Sequence, residues 1–160
     1  MMFNAIAFLC IHSIALSKAH FVLQSPTSLG FNDAVEGTGP CDSFDIKSRG
    51  NVTNWPIGGY PVQILTTHPQ VLLEFRAALL SNTDGWVNII EPVEQTGVGT
   101  FCLPAVTGYE AWIGQDAVFE IVQFAPDGLN YQVSERSGRT VEMLHLMLPN
   151  LKHAKRKGRE

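Results

Sequence analysis

Between residues 20 and 132 the chain is written in short runs rich in β-branched and aromatic residues, each bounded by Gly, Pro, Asn or Asp, and helical periodicity is scarce. This spacing predicts strands at 20–24, 60–67, 71–80, 86–91, 99–103, 116–124 and 129–132. In the third of these, Val71, Leu73 and Phe75 alternate with Leu72, Glu74 and Arg76, so one face is buried while the other meets water. Val118 and Val122 alternate in the same way with Phe119 and Ile121. Between the runs, Thr38-Gly39-Pro40, Gly58-Gly59, Asn82-Thr83-Asp84-Gly85 and Pro126-Asp127-Gly128 supply turn chemistry. The economical fold is all-β, two antiparallel sheets packed face to face as a sandwich.

Upstream of that region, residues 5–16 are an apolar stretch of the length of a signal-peptide core, too short to span a bilayer. Ser17 and Ala19 place small residues at the two positions a signal peptidase reads, although residues 1–4 carry no lysine or arginine. The expectation is a signal peptide over 1–19, with Cys10 and His12 lost on cleavage. His20 then becomes the N-terminus, and its α-amine and imidazole can chelate one metal ion together.

Charge divides what remains. Residues 20–132 hold three basic residues against twelve acidic ones, a net of −9, whereas residues 133–160 hold seven basic and three acidic, a net of +4. An acidic body argues against nucleic acid and is compatible with holding a cation. The basic run at 152–159 reads as a solvated tail. Cys41 and Cys102, the cysteines left after cleavage, can pair in an oxidising compartment. Asn51-Val52-Thr53 is a glycosylation acceptor, in keeping with secretion.

No helix-bound GxGxxG, phosphate loop or zinc-type CxxC is present, and no serine has a histidine and an acid at a recognisable spacing. The metal reading stands almost alone. Copper(II) favours imidazole and amine nitrogens, and the α-amine, with a reference pKa of about 7.7–8.0, yields its proton to a metal far more easily than a lysine does. A second histidine is needed. His68, in Thr66-Thr67-His68-Pro69 between two expected strands, is better placed than His145 or His153, and Pro69 biases it toward an extended backbone.

His20-Phe21-Val22-Leu23, Pro26, Gly30-Phe31, Glu36-Gly37, Gly39-Pro40-Cys41, His68, Gly99-Thr100-Phe101-Cys102-Leu103 and Tyr131-Gln132 together resemble the fungal BIM1-like, or X325, copper acquisition factors, relatives of lytic polysaccharide monooxygenases. The likeness runs from 20 to 132. It implies a secreted immunoglobulin-like or fibronectin III-like β-sandwich, often GPI-anchored, that holds copper through an N-terminal histidine, a second histidine and an aspartate. His20 matches the first ligand and His68 the second. In the family the Tyr-Gln pair continues into Cys-Ala-Asp, which supplies the aspartate and a disulfide cysteine; here Val133-Ser134-Glu135 follows instead. A GPI signal is also missing. These departures imply a sandwich truncated at its C-terminal end. Val-Ser can be encoded by a splice-donor sequence, so the basic tail at 133–160 is read as possible intron translation, to be tested on the transcript.

The leading expectation is a secreted or cell-surface copper-binding protein for copper acquisition or homeostasis, with copper as cargo and a membrane copper transporter or cell-wall component as partner. The alternatives are a copper-dependent polysaccharide monooxygenase, which uses a similar pair of histidines, and a metal-free cell-wall interaction module.

Overall fold

A computed structural model of the protein describes residues 20–47 and 52–137. The expected signal peptide at 1–19, the acceptor Asn51, and His145, His153 and the rest of the tail from 138 onward lie outside the described residues. The described strands are β1 (Phe21–Ser25), β2 (Thr53–Asn54), β3 (Tyr60–Thr66), β4 (Gln70–Leu79), β5 (Asn82–Asn88), β6 (Val93–Thr96), β7 (Gly99–Val106), β8 (Asp116–Ala125) and β9 (Gly128–Ser137). They form a three-stranded sheet in the order β1-β3-β7 and a six-stranded sheet in the order β2-β9-β8-β4-β5, with β6 also on β4.

The two sheets close on one core. Phe21 and Leu23 of β1, Val62 and Ile64 of β3 and Val106 of β7 pack against Val71, Leu73 and Phe75 of β4 and Phe119 and Ile121 of β8. The alternation along β4 is therefore as expected, with Leu72 left 42% exposed on the opposite face. On β8 both faces are buried, because the loop between β1 and β2 covers the outer side. Cys41, Val118 and Val133 form a second cluster there, with Leu29, Phe44 and Trp86 packed on it.

Three expectations need correction. Asn82-Thr83-Asp84-Gly85 is part of β5 and not the turn, since the chain reverses at Leu80 and Ser81, where Leu79 pairs with Asn82. The pairing then jumps to Ala77 opposite Val87, so the polar run is taken up as an irregularity of an edge strand. The strand expected at 86–91 ends at Asn88, and β6 resumes the same edge of β4 at Val93. Pro92 stands in the gap, and without an N–H it cannot continue a ladder. Lastly, Cys41 and Cys102 are not joined: Cys41 is buried on the outer face of the larger sheet, whereas Cys102 is exposed on β7 of the smaller one.

β9 also runs past the boundary expected at residue 132, to Ser137. Val133, Ser134 and Glu135 are buried and pair with Glu120, Phe119 and Val118 of β8.

Candidate metal centre

β1 runs antiparallel to β3 with Phe21 opposite Thr66. The residue before β1, His20, therefore lies beside the residue after β3, Thr67. The Thr67 N–H donates to the His20 carbonyl at 3.1 Å; its hydroxyl donates to the same carbonyl at 3.0 Å and accepts from the His20 main-chain nitrogen at 2.9 Å. His68 is the next residue. Strand pairing thus brings the two histidines to one end of the sandwich.

Each imidazole meets a carboxylate. His20 Nδ1 lies 2.9 Å from Asp33 Oδ1, and its Nε2 lies 3.8 Å from Glu36 Oε2. His68 Nε2 lies 2.8 Å from Asp127 Oδ1, while its buried Nδ1 has no hydrogen-bond partner. Asp127 is positioned by the two-residue turn between β8 and β9, in which Ala125 pairs with Gly128. Gly128 has φ +143°, a conformation that side chains disfavour. His20, Asp33, Asp127, Gly128 and Asn130 line one cleft of about 140 Å³. Asp127 therefore connects His68 to the cleft that His20 borders.

Behind His20 the carboxylates are buried. Glu36 is fully buried, with Oε1 accepting from the Phe21 N–H at 3.3 Å and its main-chain oxygen accepting from the Tyr131 N–H at 2.9 Å. Burial raises its pKa from 4.5 to about 8; the Phe21 N–H opposes the rise, while Asp42, Asp33 and Asp127 add to it. Burial likewise raises Asp42 to about 6, against the pull of the Asn32 N–H and of His20. Asp42 sits in a left-handed turn in which Cys41, Asp42 and Ser43 all have φ between 51° and 68°. Three successive non-glycine residues in this region are strained. Two contacts hold the turn in place. The Cys41 N–H donates to Glu120 at 2.6 Å, and Gly39 lies so close to the Tyr131 ring that a Cβ would come within 2.3 Å of it.

The sequence alone assigns none of Asp33, Glu36, Asp42 and Asp127 to the site: Glu36 figures only in the family resemblance, Asp127 as turn chemistry, and Asp33 and Asp42 as part of an acidic body. Asp33 and Glu36, three residues apart in the loop after β1, gave the one local signal, a weak one. Among the described residues no group of three or more His, Cys, Asp or Glu side chains is already arranged as a cage for a metal ion. The donor set is nonetheless rich in imidazole and carboxylate, and His68 Nδ1, Glu36 Oε2 and Asp42 Oδ1 are buried without hydrogen bonds. Unpartnered polar atoms of this kind are costly in a protein that binds nothing. These residues fit a cation.

Comparison with known proteins gives the same direction. The domain family described as copper acquisition factor BIM1-like matches residues 18–134. An uncharacterized protein of Aspergillus fumigatus is 34% identical over 98 residues, which cover 60% of this chain and 40% of that protein. A protein of Yarrowia lipolytica named lytic polysaccharide monooxygenase-like protein X325 is 26% identical over 131 residues, 74% of this chain and 48% of that protein. The chain thus spans less than half the length of either curated relative.

Proposed function

This chain belongs to the BIM1-like copper acquisition factor family, and we propose that it is a secreted or cell-surface protein that binds copper outside the cell for acquisition or homeostasis. Cleavage after Ala19 frees the His20 amine, which joins its own ring nitrogen and the ring of His68 as the nitrogen donors. Asp127 places a carboxylate beside His68, and Asp33 places one beside His20. The observation that carries the reading is that His20 and Asp127, which is hydrogen-bonded to His68, line a single cleft. A cation entering it meets imidazoles that are already oriented, so little reorganisation opposes binding. The metal is then handed to a membrane transporter or cell-wall component.

The name of the Yarrowia relative favours a second reading, a copper-dependent polysaccharide monooxygenase. It uses the same two histidines. Carboxylates at both rings, lining one cleft, favour holding and releasing a cation over leaving a coordination position open for a co-substrate.

Copper titration of protein beginning at His20, followed by electron spin resonance, tests the proposal. A nitrogen-rich type 2 signal is expected, and it should be lost in His20→Ala and when one residue is left upstream of His20. No such signal leaves a metal-free interaction module as the reading. Reductant-dependent oxidised sugars from glycan substrates would instead establish the enzyme.

A further inference from the structure

Chelation of one ion by the α-amine and the ring of an N-terminal histidine admits only Nδ1, because Nε2 stands on the far side of the imidazole from the main chain. The ring proton then sits on Nε2, and in metal sites that N–H is normally given an acceptor that fixes the ring. At His20 the carboxylate oxygen on that side is Glu36 Oε2, 3.8 Å away, buried and without a hydrogen-bond partner. The rest of Glu36 is held. Its Oε1 accepts from Phe21 and its main-chain oxygen from Tyr131, so the side chain cannot swing out to find water. The Nε2–Oε2 separation exceeds hydrogen-bond length by about 1 Å. Asp33, on Nδ1, is the opposite case: its side chain is 69% exposed and can withdraw as a metal arrives.

We propose that Glu36 is the positioning residue for copper at His20, accepting the Nε2–H so that Nδ1 is presented to the cleft, while its bond to the Phe21 N–H fixes the strand that carries the amine. This rests on the reading of His20 as a copper ligand. One carboxylate thereby sets both arms of the chelate, the ring through one oxygen and the main chain through the other.

The test uses protein beginning at His20, labelled with ¹⁵N in histidine, loaded with copper(I), which is diamagnetic, and kept at about pH 9, where Glu36 is ionised even in the metal-free fold. Nitrogen shifts in the wild-type protein should show His20 protonated at Nε2 and metal-bound at Nδ1. The reverse assignment overturns the inference and leaves His20 a ligand; a His20 ring untouched by copper overturns the inference together with its premise. Glu36→Gln supplies the second arm, because its amide presents an oxygen to only one of the two positions that Phe21 and His20 face, and an NH2 to the other. Copper affinity should fall by about 10- to 100-fold, with altered nitrogen couplings in the copper(II) spin-resonance spectrum. Wild-type affinity, or weaker binding with unchanged couplings, assigns Glu36 to the fold alone and overturns the proposal. If the variant does not fold, the wild-type nitrogen shifts decide.

Discussion

His68 Nε2 and Asp127 Oδ1 lie 2.8 Å apart although 59 residues separate them in the chain. The contact joins the β3–β4 connection of one sheet crossing to the tip of the β8–β9 hairpin. Its geometry follows from register: β8 pairs with β4 from Leu72 opposite Phe124 to Leu79 opposite Ala117, so the hairpin tip arrives where β4 begins.

Asp127 should therefore matter to copper binding more than its place in a surface turn suggests. Asp127→Ala is expected to weaken copper(II) binding by about 10- to 100-fold, and Asp127→Asn, which keeps an acceptor oxygen without the charge, by less. Competition titration against a chelator of known affinity measures both. Equal affinities in all three proteins would show that Asp127 neither binds the metal nor positions His68 for it.

The sandwich was legible because period-two alternation, as in Val71, Leu73 and Phe75, reports a buried face whatever the partner strand. That His68 lies near His20 follows from its place between two expected strands, since β1 and β3 pair with Phe21 opposite Thr66. The carboxylates were not legible. Asp33, Glu36, Asp42 and Asp127 come from the long loop after β1 and from a hairpin tip, and only tertiary packing separates them from the other acids of the chain. The β5–β6 edge was misread for a related reason: Asn82 to Gly85 has turn chemistry, yet an edge strand tolerates a local irregularity that a central strand would not.

Glu36 makes the metal-free protein sensitive to pH. Its pKa is about 8 in the fold against an ordinary 4.5, so the folded state holds a proton that the unfolded chain has lost. Its contribution to stability is complete below pH 4.5 and disappears as pH rises through about 8. Asp42, raised from 3.8 to about 6, acts in the same sense over a lower window. Thermal melts with chelator present should show a midpoint that falls between pH 5 and pH 8.5, with a shallower slope in Glu36→Gln. A midpoint rising over this range would contradict the assignment.

The two thiols should differ sharply in reactivity. Burial and the nearby Glu120 push the Cys41 thiol up to about 12, with Arg76 offsetting part of the rise, whereas Cys102 is exposed. Of the two thiols in the described residues, Cys102 should be alkylated under native conditions at neutral pH, and Cys41 only after unfolding. Peptide mapping after iodoacetamide treatment identifies the site, and rapid native labelling of Cys41 would mean that the loop over β8 is open.

Val133 and Cys41 are buried together in the outer cluster. Val133→Cys should therefore form a disulfide with Cys41 in oxidising buffer. Closing so long a loop typically adds about 2–4 kcal/mol, read as a melting midpoint that falls when reductant is added. Three free thiols in the described domain of the folded variant would show that the two side chains touch without the geometry a disulfide needs.

The loop that carries Asp42 is anchored by a buried charge pair whose loss should be felt throughout the domain. Arg76 Nε lies 2.6 Å from Glu120 Oε2, the other oxygen of Glu120 accepts from the Cys41 N–H at 2.6 Å, and the guanidinium stands 5.0 Å over the Trp86 ring. Glu120 is fully buried, so it cannot recover hydration once Arg76 is gone. Arg76→Ala should cost about 3–5 kcal/mol, because it leaves an uncompensated buried carboxylate. Arg76→Met with Glu120→Gln, which removes both charges and keeps an acceptor for Cys41, should cost less than Arg76→Ala alone. Denaturant melts of the two variants give the comparison. A double variant less stable than the single one would mean that the ion pair itself, and not the avoidance of a lone charge, holds the loop against the sheet.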